Sequence, residues 1–323
     1  MKNALLASAI LGASIGSAQA EVTTYGSMDI GVVRKAGDET VTKLSRGNNN
    51  YLGFRGVEDL GDGLSAIFRI EMRFEPGTGT VESGKNPLFQ GRTVVGLAGK
   101  YGTIRAGRDS TPIQALIGDF EPWEANSTAA SQAAAQFPDG YTSGVGTGNG
   151  ARFSNAIFYN TPKVSGFTGY AAVATKEHEV DGERKKLDAN PYSLAATYGN
   201  GPLTGILGYE RNAKGDQLAV VGSTYQLGIV QMMGTYSNLD TKVGPNAKGW
   251  TIGSNITVSP VGTVKVGYGS HKRARAAAAH KLASVGYQHR LSKRTFLYTD
   301  LALNTASSGD RVKVVDAGIR HNF

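Results

Sequence analysis

The feature that most constrains this 323-residue chain is an alternation of apolar and polar residues with a period of two. Between Leu64 and Phe74 every even position is apolar, whereas the odd positions include Arg69, Glu71 and Arg73. Successive side chains of a β-strand point to opposite faces, so such a segment divides an apolar medium from a polar one. The pattern recurs from residue 21 to the C-terminus and predicts a chain built almost wholly from strands.

The connections between these segments alternate between short and long. We predict sixteen strands, at residues 22–33, 50–58, 64–74, 90–98, 103–109, 152–160, 166–175, 190–199, 203–211, 216–226, 228–238, 248–258, 262–271, 280–290, 294–304 and 311–323. Seven connections are tight and rich in the Gly, Pro, Asn and Asp that turns favour. The others, which are mostly longer and polar, are 34–49, 75–89, 110–151, 176–189, 212–215, 239–247, 272–279 and 305–310.

These features predict an all-β fold, a transmembrane antiparallel β-barrel over residues 21–323. An even strand number, short turns on one rim and long loops on the other are typical of outer-membrane barrels. A sheet that faces lipid must also close, because an open edge would leave backbone groups unpaired in hydrocarbon. A secreted β-sandwich alternates too, but sixteen strands without a cysteine or a domain boundary disfavour it. A repeat protein is also disfavoured, because no fixed repeat period recurs along the sequence.

The N-terminus has the composition of an export signal. Residues 1–20 combine Lys2, an apolar stretch from Ala4 to Ile15 and the small-residue pattern Ala18-Gln-Ala20. This order of charge, apolar stretch and small residues is typical of a cleaved signal peptide. Loss of Lys2 would lower the formal net charge from +8 to +7. The absence of cysteine excludes disulfide bonds and thiol chemistry.

The connection 110–151 follows the short strand Thr103–Arg108 and is the longest in the chain. A connection of this length in a compact domain usually has a function. It carries Asp119, Glu121 and Glu124, which we interpret as facing arginines of the surrounding strands across a gap.

The candidate arginines lie on the polar faces of several predicted strands. Alternation places Arg55, Arg69 and Arg73 there, together with Lys265 and Arg320. Arg105 and Arg108 have opposite parity, so we predict a bulge or bend near Gly107 that turns both inward. For each arginine the alternative is a solvated rim position or a local ion pair, such as Arg69 with Glu71.

In the order of its motifs the mature chain resembles the Gram-negative general porins, which are trimeric, sixteen-stranded diffusion channels. The matching segments are Tyr25-Gly-Ser-Met-Asp29, Leu52–Leu64, Gly102–Arg108, Ser292–Tyr298 and Gly318–Phe323. The Pro-Glu-Phe-Gly-type motif of enteric members is absent, and Phe120-Glu-Pro-Trp123 stands in its region. Tyr51 stands where some members carry a further arginine.

The resemblance implies a third loop that folds into the lumen and narrows it at mid-height. Arg55, Arg108 and Arg152 match wall residues of the family, and the acidic side corresponds to the stretch with Asp119, Glu121 and Glu124. With the residues placed by alternation, the predicted basic wall is Arg55, Arg69, Arg73, Arg105, Arg108 and Arg152. The family also implies a homotrimer, with loop 75–89 reaching a neighbour, and recognition of Phe323 by the outer-membrane assembly machinery.

The predicted function is a passive outer-membrane channel, embedded in lipid, for small hydrophilic solutes and ions. The net charge of +8 predicts a mild preference for anions. The alternatives are a channel selective for one anion and a structural or adhesin barrel without an open pore. No enzyme, cofactor or nucleic-acid function is predicted, and the five histidines lack metal-ligand spacing.

Overall fold

One antiparallel sheet contains nearly all of the regular structure. The computed structural model describes residues 21–82, 87–144, 150–180, 183–186 and 188–323, so the predicted signal peptide lies outside the described residues, as does the 83–86 part of loop 75–89. The strands are β1 Glu21–Ala36, β2 Thr40–Ser45, β3 Tyr51–Gly61, β4 Leu64–Arg73, β5 Arg92–Gly99, β6 Gly102–Ser110, β7 Arg152–Asn160, β8 Phe167–Ala174, β9 Glu177–Val180, β10 Glu183–Lys186, β11 Tyr192–Asn200, β12 Leu203–Arg211, β13 Gln217–Leu227, β14 Val230–Asp240, β15 Ala247–Thr257, β16 Gly262–Arg273, β17 His280–Arg290, β18 Thr295–Thr305 and β19 Arg311–Asn322.

The sheet closes on itself. Strand β1 pairs with β19 from Ser27 opposite Asn322 to Ala36 opposite Lys313. The backbone N–H of Gly26 donates to the carbonyl of Phe323 at 3.0 Å, and Phe323 N–H donates back to Gly26 at 3.1 Å. Strands β2 and β3 both pair with β1 and occupy one position, while β9 and β10 pair only with each other. The described strands thus form a closed antiparallel barrel of sixteen strand positions, which confirms the predicted fold class.

Two predicted loops contain strands. Within 34–49, β1 continues to Ala36 and pairs with β2, so that a tight turn joins them. Residues 46–50 separate β2 from β3 and leave the pairing with β1. Their backbone instead binds the Asp29 carboxylate, which accepts hydrogen bonds from Gly47 N–H at 2.7 Å and Asn48 N–H at 3.1 Å. Within 176–189, β9 and β10 form a small hairpin.

The outer face of the barrel is apolar. In β13, Val221 is 44% exposed although its neighbour Val220 is 4% exposed. In β18 and β19, Leu301 and Val315 are likewise exposed, whereas Ala302 faces inward and is buried. This confirms the predicted sorting of residues between lipid and lumen. No helix among the described residues is long and apolar enough to cross a membrane.

The connection between β6 and β7 is called loop 3 below, and its described residues, 111–144 and 150–151, lie inside the barrel. It contains the short helices α1 Pro112–Leu116 and α2 Ala133–Gln136, with 3-10 turns at Ile117–Phe120 and Pro138–Gly140. Thr111 caps α1 by accepting a hydrogen bond from Gln114 N–H, and proline begins the helix. Apolar loop residues pack on inward-facing side chains of the wall. One cluster joins Ile113, Ile117, Phe120 and Tyr141 to Ile206, Leu218, Val220, Leu239 and Ala247. A second joins Trp123, Ala129 and Ala130 to Val33, Leu282, Ala302 and Val314.

Strand β6 contains the predicted bulge. Its pairing with β7 shifts register between Gly107 and Asp109, and Gly107 has a φ of +128°. A Cβ atom at Gly107 would lie 2.1 Å from the carbonyl oxygen of Thr93. The bulge brings Arg108 onto the lumen face that Arg105 already occupies, so the opposite parity of the two arginines is resolved as expected.

We predict that Gly107→Ala destabilises the barrel by about 1–3 kcal/mol, because alanine can relieve neither the positive φ nor the contact with Thr93. The measurement is the thermal unfolding temperature of the purified protein in detergent. Gly205→Ala is the matched control, since the nearest atom to a Cβ there is 3.7 Å away. Equal unfolding temperatures for the two variants would show that the bulge tolerates a side chain.

Candidate channel constriction

The six predicted wall arginines lie on strands β3, β4, β6 and β7. Arg73 is close enough to repel both Arg108 and Arg152 electrostatically. Two further arginines that the sequence analysis did not select join them through shared carboxylates: Arg46 shares Glu82 with Arg73, and Arg92 shares Asp109 with Arg105. The wall is therefore a continuous basic surface on one side of the lumen.

Tyr25 organises two of these arginines. The guanidinium carbons of Arg55 and Arg69 lie 5.6 Å and 4.6 Å from the centre of the Tyr25 ring. Arg69 Nε donates to the Tyr25 hydroxyl at 2.6 Å, and this hydroxyl donates to Glu71 at 3.2 Å. Cation–π contacts of this kind hold an arginine without neutralising it. Tyr25 was missed as a site residue; its place on the polar face of the first strand was the available signal.

Other wall arginines are neutralised by carboxylates. Asp109 lies 2.6 Å from Arg105 Nη1 and 3.3 Å from Arg92 Nε. Glu71 lies 3.9 Å from Arg73 Nε, and Glu82 pairs with Arg46. The alternative considered for Arg69, a direct ion pair with Glu71, is replaced by a link through the Tyr25 hydroxyl.

Arg108 and Arg152 bind the connection that precedes β5. Arg108 Nε donates to the carbonyl of Gln90 at 3.0 Å, and its Nη1 donates to Ser154 Oγ at 2.5 Å. Arg152 is 2% exposed and donates to the carbonyl of Gly91. Both arginines thus hold the wall together, whereas Arg55 is exposed to the lumen.

The three loop carboxylates lie in different surroundings. Glu121 is 1% exposed, and its carboxylate accepts hydrogen bonds from the loop itself. The donors are Trp123 N–H at 3.0 Å, Ser131 Oγ at 2.8 Å, Gln132 N–H at 3.4 Å and the N–H of Ala125. Burial raises the pKa of Glu121, and these hydrogen bonds oppose the shift by favouring the charged form.

Asp119 and Glu124 are exposed. Neighbouring loop atoms desolvate Asp119 and Glu124 repels it, and both effects raise the pKa of Asp119. The structure therefore leaves these two carboxyl groups accessible from the lumen, while the Glu121 carboxylate is enclosed within loop 3. The assignment of all three to the constriction stays a prediction.

Hydrogen bonds with side chains and backbone of the strands tie loop 3 to the wall. Trp123 Nε1 and Ser127 Oγ donate to the two oxygens of Asp300 at 2.9 Å and 3.0 Å. Thr128 N–H donates to the carbonyl of Gly47, in the interruption between β2 and β3, at 2.9 Å. With the apolar clusters, these bonds fasten the loop to the inner wall, mainly on strands other than β3–β7.

The architecture is that of a diffusion channel: a closed barrel with a polar interior, an inward loop and a basic wall. Within the described ranges no three acidic or histidine side chains converge to hold a metal ion. A family model described as Gram-negative porin matches residues 4–309, and the chain belongs to this family. It is therefore an outer-membrane channel protein.

Two outer-membrane porins match this chain over their full length. Outer membrane porin protein 32 of Delftia acidovorans is 32% identical over 360 residues, with 100% of both chains covered. An outer membrane porin protein of Bordetella pertussis is 28% identical over 404 residues, again with 100% of both chains covered.

Solved structures match the barrel. An anion-selective porin from Comamonas acidovorans superposes with a TM-score of 0.81 at 26% identity, covering 94% of this chain and 100% of that one. The trimer form of OmpT from Vibrio cholerae superposes with a TM-score of 0.64 at 13% identity, covering 94% and 99%; that likeness concerns the fold alone.

We predict that Glu121→Ala loosens loop 3 around Trp123, because the variant removes the acceptor of four hydrogen bonds within the loop. Trp123 and Trp250 are the two tryptophans, so a Trp250→Phe background makes fluorescence report on Trp123 alone. We expect a red-shifted emission and stronger quenching by acrylamide in Glu121→Ala.

Glu124→Ala in the same background is the matched control, because Glu124 is exposed and lies three residues away. Unchanged emission and quenching in Glu121→Ala would show that the hydrogen bonds to Glu121 do not hold the conformation of loop 3 around Trp123.

Proposed function

We propose that the protein is a general diffusion channel with a mild preference for small anions. The observation that carries this proposal is the stacking of Arg55 and Arg69 on Tyr25, which presents positive charge to the lumen without a carboxylate partner within salt-bridge distance among the described residues. The net charge of +8 favours the same sign of selectivity. The related porin from Comamonas acidovorans is described as anion-selective, which agrees with the proposal.

The preference should be modest. Two unit charges separated by about 10 Å of water interact by only about 0.4 kcal/mol. The screening length is about 8 Å at physiological ionic strength, so added salt weakens the effect further. Several wall arginines are also ion-paired, including Arg92 and Arg105 with Asp109. Such a wall biases the passage of ions and does not exclude cations.

We predict that Arg69→Gln lowers the chloride-to-potassium permeability ratio by up to about a factor of four, because an interaction of about 0.4 kcal/mol is lost as attraction of chloride and as repulsion of potassium, a factor of about two each. The measurement is the reversal potential across a planar bilayer with a gradient of potassium chloride. The difference should shrink at about 1 M salt, where the screening length is about 3 Å.

Arg34→Gln is the matched control because Arg34 is exposed next to the buried Val33, on the outer face of β1. It removes the same charge from outside the lumen. Equal permeabilities for potassium and chloride in the unmodified protein at low salt would refute the anion preference itself.

A size series of neutral sugars separates general diffusion from the alternatives. We expect liposomes containing the protein to swell at rates that fall smoothly with solute size. A channel selective for one anion would admit that anion and exclude neutral sugars of the same size. A structural or adhesin barrel without an open pore would give neither swelling nor single-channel conductance.

We also propose that the mature protein begins at Glu21 after removal of residues 1–20 and assembles as a homotrimer in outer-membrane lipid, with loop 75–89 reaching a neighbour and Phe323 read by the assembly machinery. The export pattern of residues 1–20 and the trimer form of a structural neighbour support this assembly. N-terminal sequencing tests the cleavage site, and sedimentation of the detergent-solubilised protein tests the trimer. A monomeric mass would contradict the homotrimer.

A further inference from the structure

A cavity of about 460 Å³ lies between loop 3 and the rim of tight turns. Loop 3 borders it with Trp123 and Glu124, and the turn that joins β17 and β18 borders it with Lys293. Four cationic side chains line this cavity, which we call the rim pocket: Lys265, Arg290, Lys293 and Arg320. They belong to β16, β17, β19 and the turn between β17 and β18, on a different part of the wall from the constriction arginines.

Within the described part of the chain, the four cations of the rim pocket are not held in close ion pairs. None of the four forms an ion pair with a carboxylate among the described residues, whereas Arg46, Arg73, Arg92 and Arg105 all do. Lys265 Nζ donates to the carbonyl of Pro122 at 2.9 Å, a neutral acceptor. Arg290 and Lys293 are exposed to solvent.

Three carboxylates, fewer than the four cations, also line the rim pocket, and two of them accept hydrogen bonds from uncharged groups. Asp300 accepts the hydrogen bonds from Trp123 and Ser127, which hold loop 3. Asp29 is opposite Arg320 in the pairing of β1 with β19, but its oxygen accepts from Gly47, Asn48 and the Tyr298 hydroxyl at 2.7–3.1 Å. Glu124 is the remaining carboxylate and lies at the loop end of the pocket.

Two arginines flank one aromatic ring at the opposite end. Arg290 is paired with Phe296 across β17 and β18, and Phe296 is paired with Arg320 across β18 and β19. Two strand spacings separate the arginine backbones by about 10 Å, so long side chains from both sides can reach one small ligand between them. The Arg320 guanidinium lies 5.4 Å from the centre of the Phe296 ring, which limits its orientations.

We propose that the rim pocket binds a small oxyanion with two negative charges, of the class of inorganic phosphate or a dicarboxylate, before or after its passage through the constriction. This inference rests on the proposed channel function. Guanidinium groups bind carboxylate and phosphate oxygens in paired hydrogen bonds, which chloride cannot match. A dianion also gains twice the electrostatic attraction of chloride from each cation.

Planar-bilayer conductance in potassium chloride tests the proposal, with inorganic phosphate added at about pH 8, where its dianion predominates. In the unmodified protein we expect phosphate to reduce the chloride current along a saturable curve. In the double variant Arg290→Gln/Arg320→Gln the half-saturating concentration should rise about tenfold or more, because charge-assisted hydrogen bonds are lost. Succinate in place of phosphate tests the dicarboxylate.

Arg294→Gln is the matched control. Arg294 is exposed in the same turn as Lys293 but does not line the pocket, so its loss should leave the phosphate curve unchanged while Lys293→Gln shifts it. Lys293→Gln also serves if the double variant does not assemble. A non-saturating phosphate effect, an unchanged half-saturation in the pocket variants, or an equal shift in Arg294→Gln would overturn the proposal.

Different results would overturn the rim pocket and the anion preference of the channel. A chloride preference that persists without phosphate, combined with any of those results, overturns the rim pocket alone. Equal permeability for chloride and potassium without phosphate counts against the proposed anion preference of the channel.

Discussion

The satisfaction of backbone hydrogen bonds in hydrocarbon is the constraint on which the rest of this structure depends. An unpaired N–H or carbonyl costs several kcal/mol in lipid, so the sheet has to close and β1 has to meet β19. Closure divides each strand into a lipid face and a lumen face. Because of this division, every wall arginine must occupy an alternate position, and the exception at Arg108 requires the bulge at Gly107.

The inner wall is itself divided by loop 3. On β12 and β13 the inward side chains Ile206, Leu218 and Val220 are apolar, and their exposure to water in an open lumen would be unfavourable. Loop 3 covers them with Ile113 and Phe120. The apolar wall and the apolar loop residues therefore require each other. The wall opposite remains polar and carries the arginines, so the position of the loop also decides where the channel stays open.

Charge within the lumen is balanced unevenly. On the constriction wall, Asp109 and Glu71 compensate neighbouring arginines, which allows many cations to lie close together without excessive repulsion. The aromatic rings of Tyr25 and Phe296 hold other arginines without cancelling their charge. This distribution is consistent with weak selectivity by the pore as a whole and with stronger attraction at particular places along it.

The sequence by itself determined the strands, their number, the two faces and the length of loop 3, because period-two alternation and turn residues are local properties. It also determined the bulge, through the parity of Arg105 and Arg108. Only the tertiary structure decided that β2 extends the second strand, that Tyr25 lies between Arg55 and Arg69, and that Glu121 turns into its own loop. Those outcomes depend on contacts such as Tyr25 with Arg69 and Trp123 with Asp300, between residues distant in the chain, and on burial that no local pattern encodes.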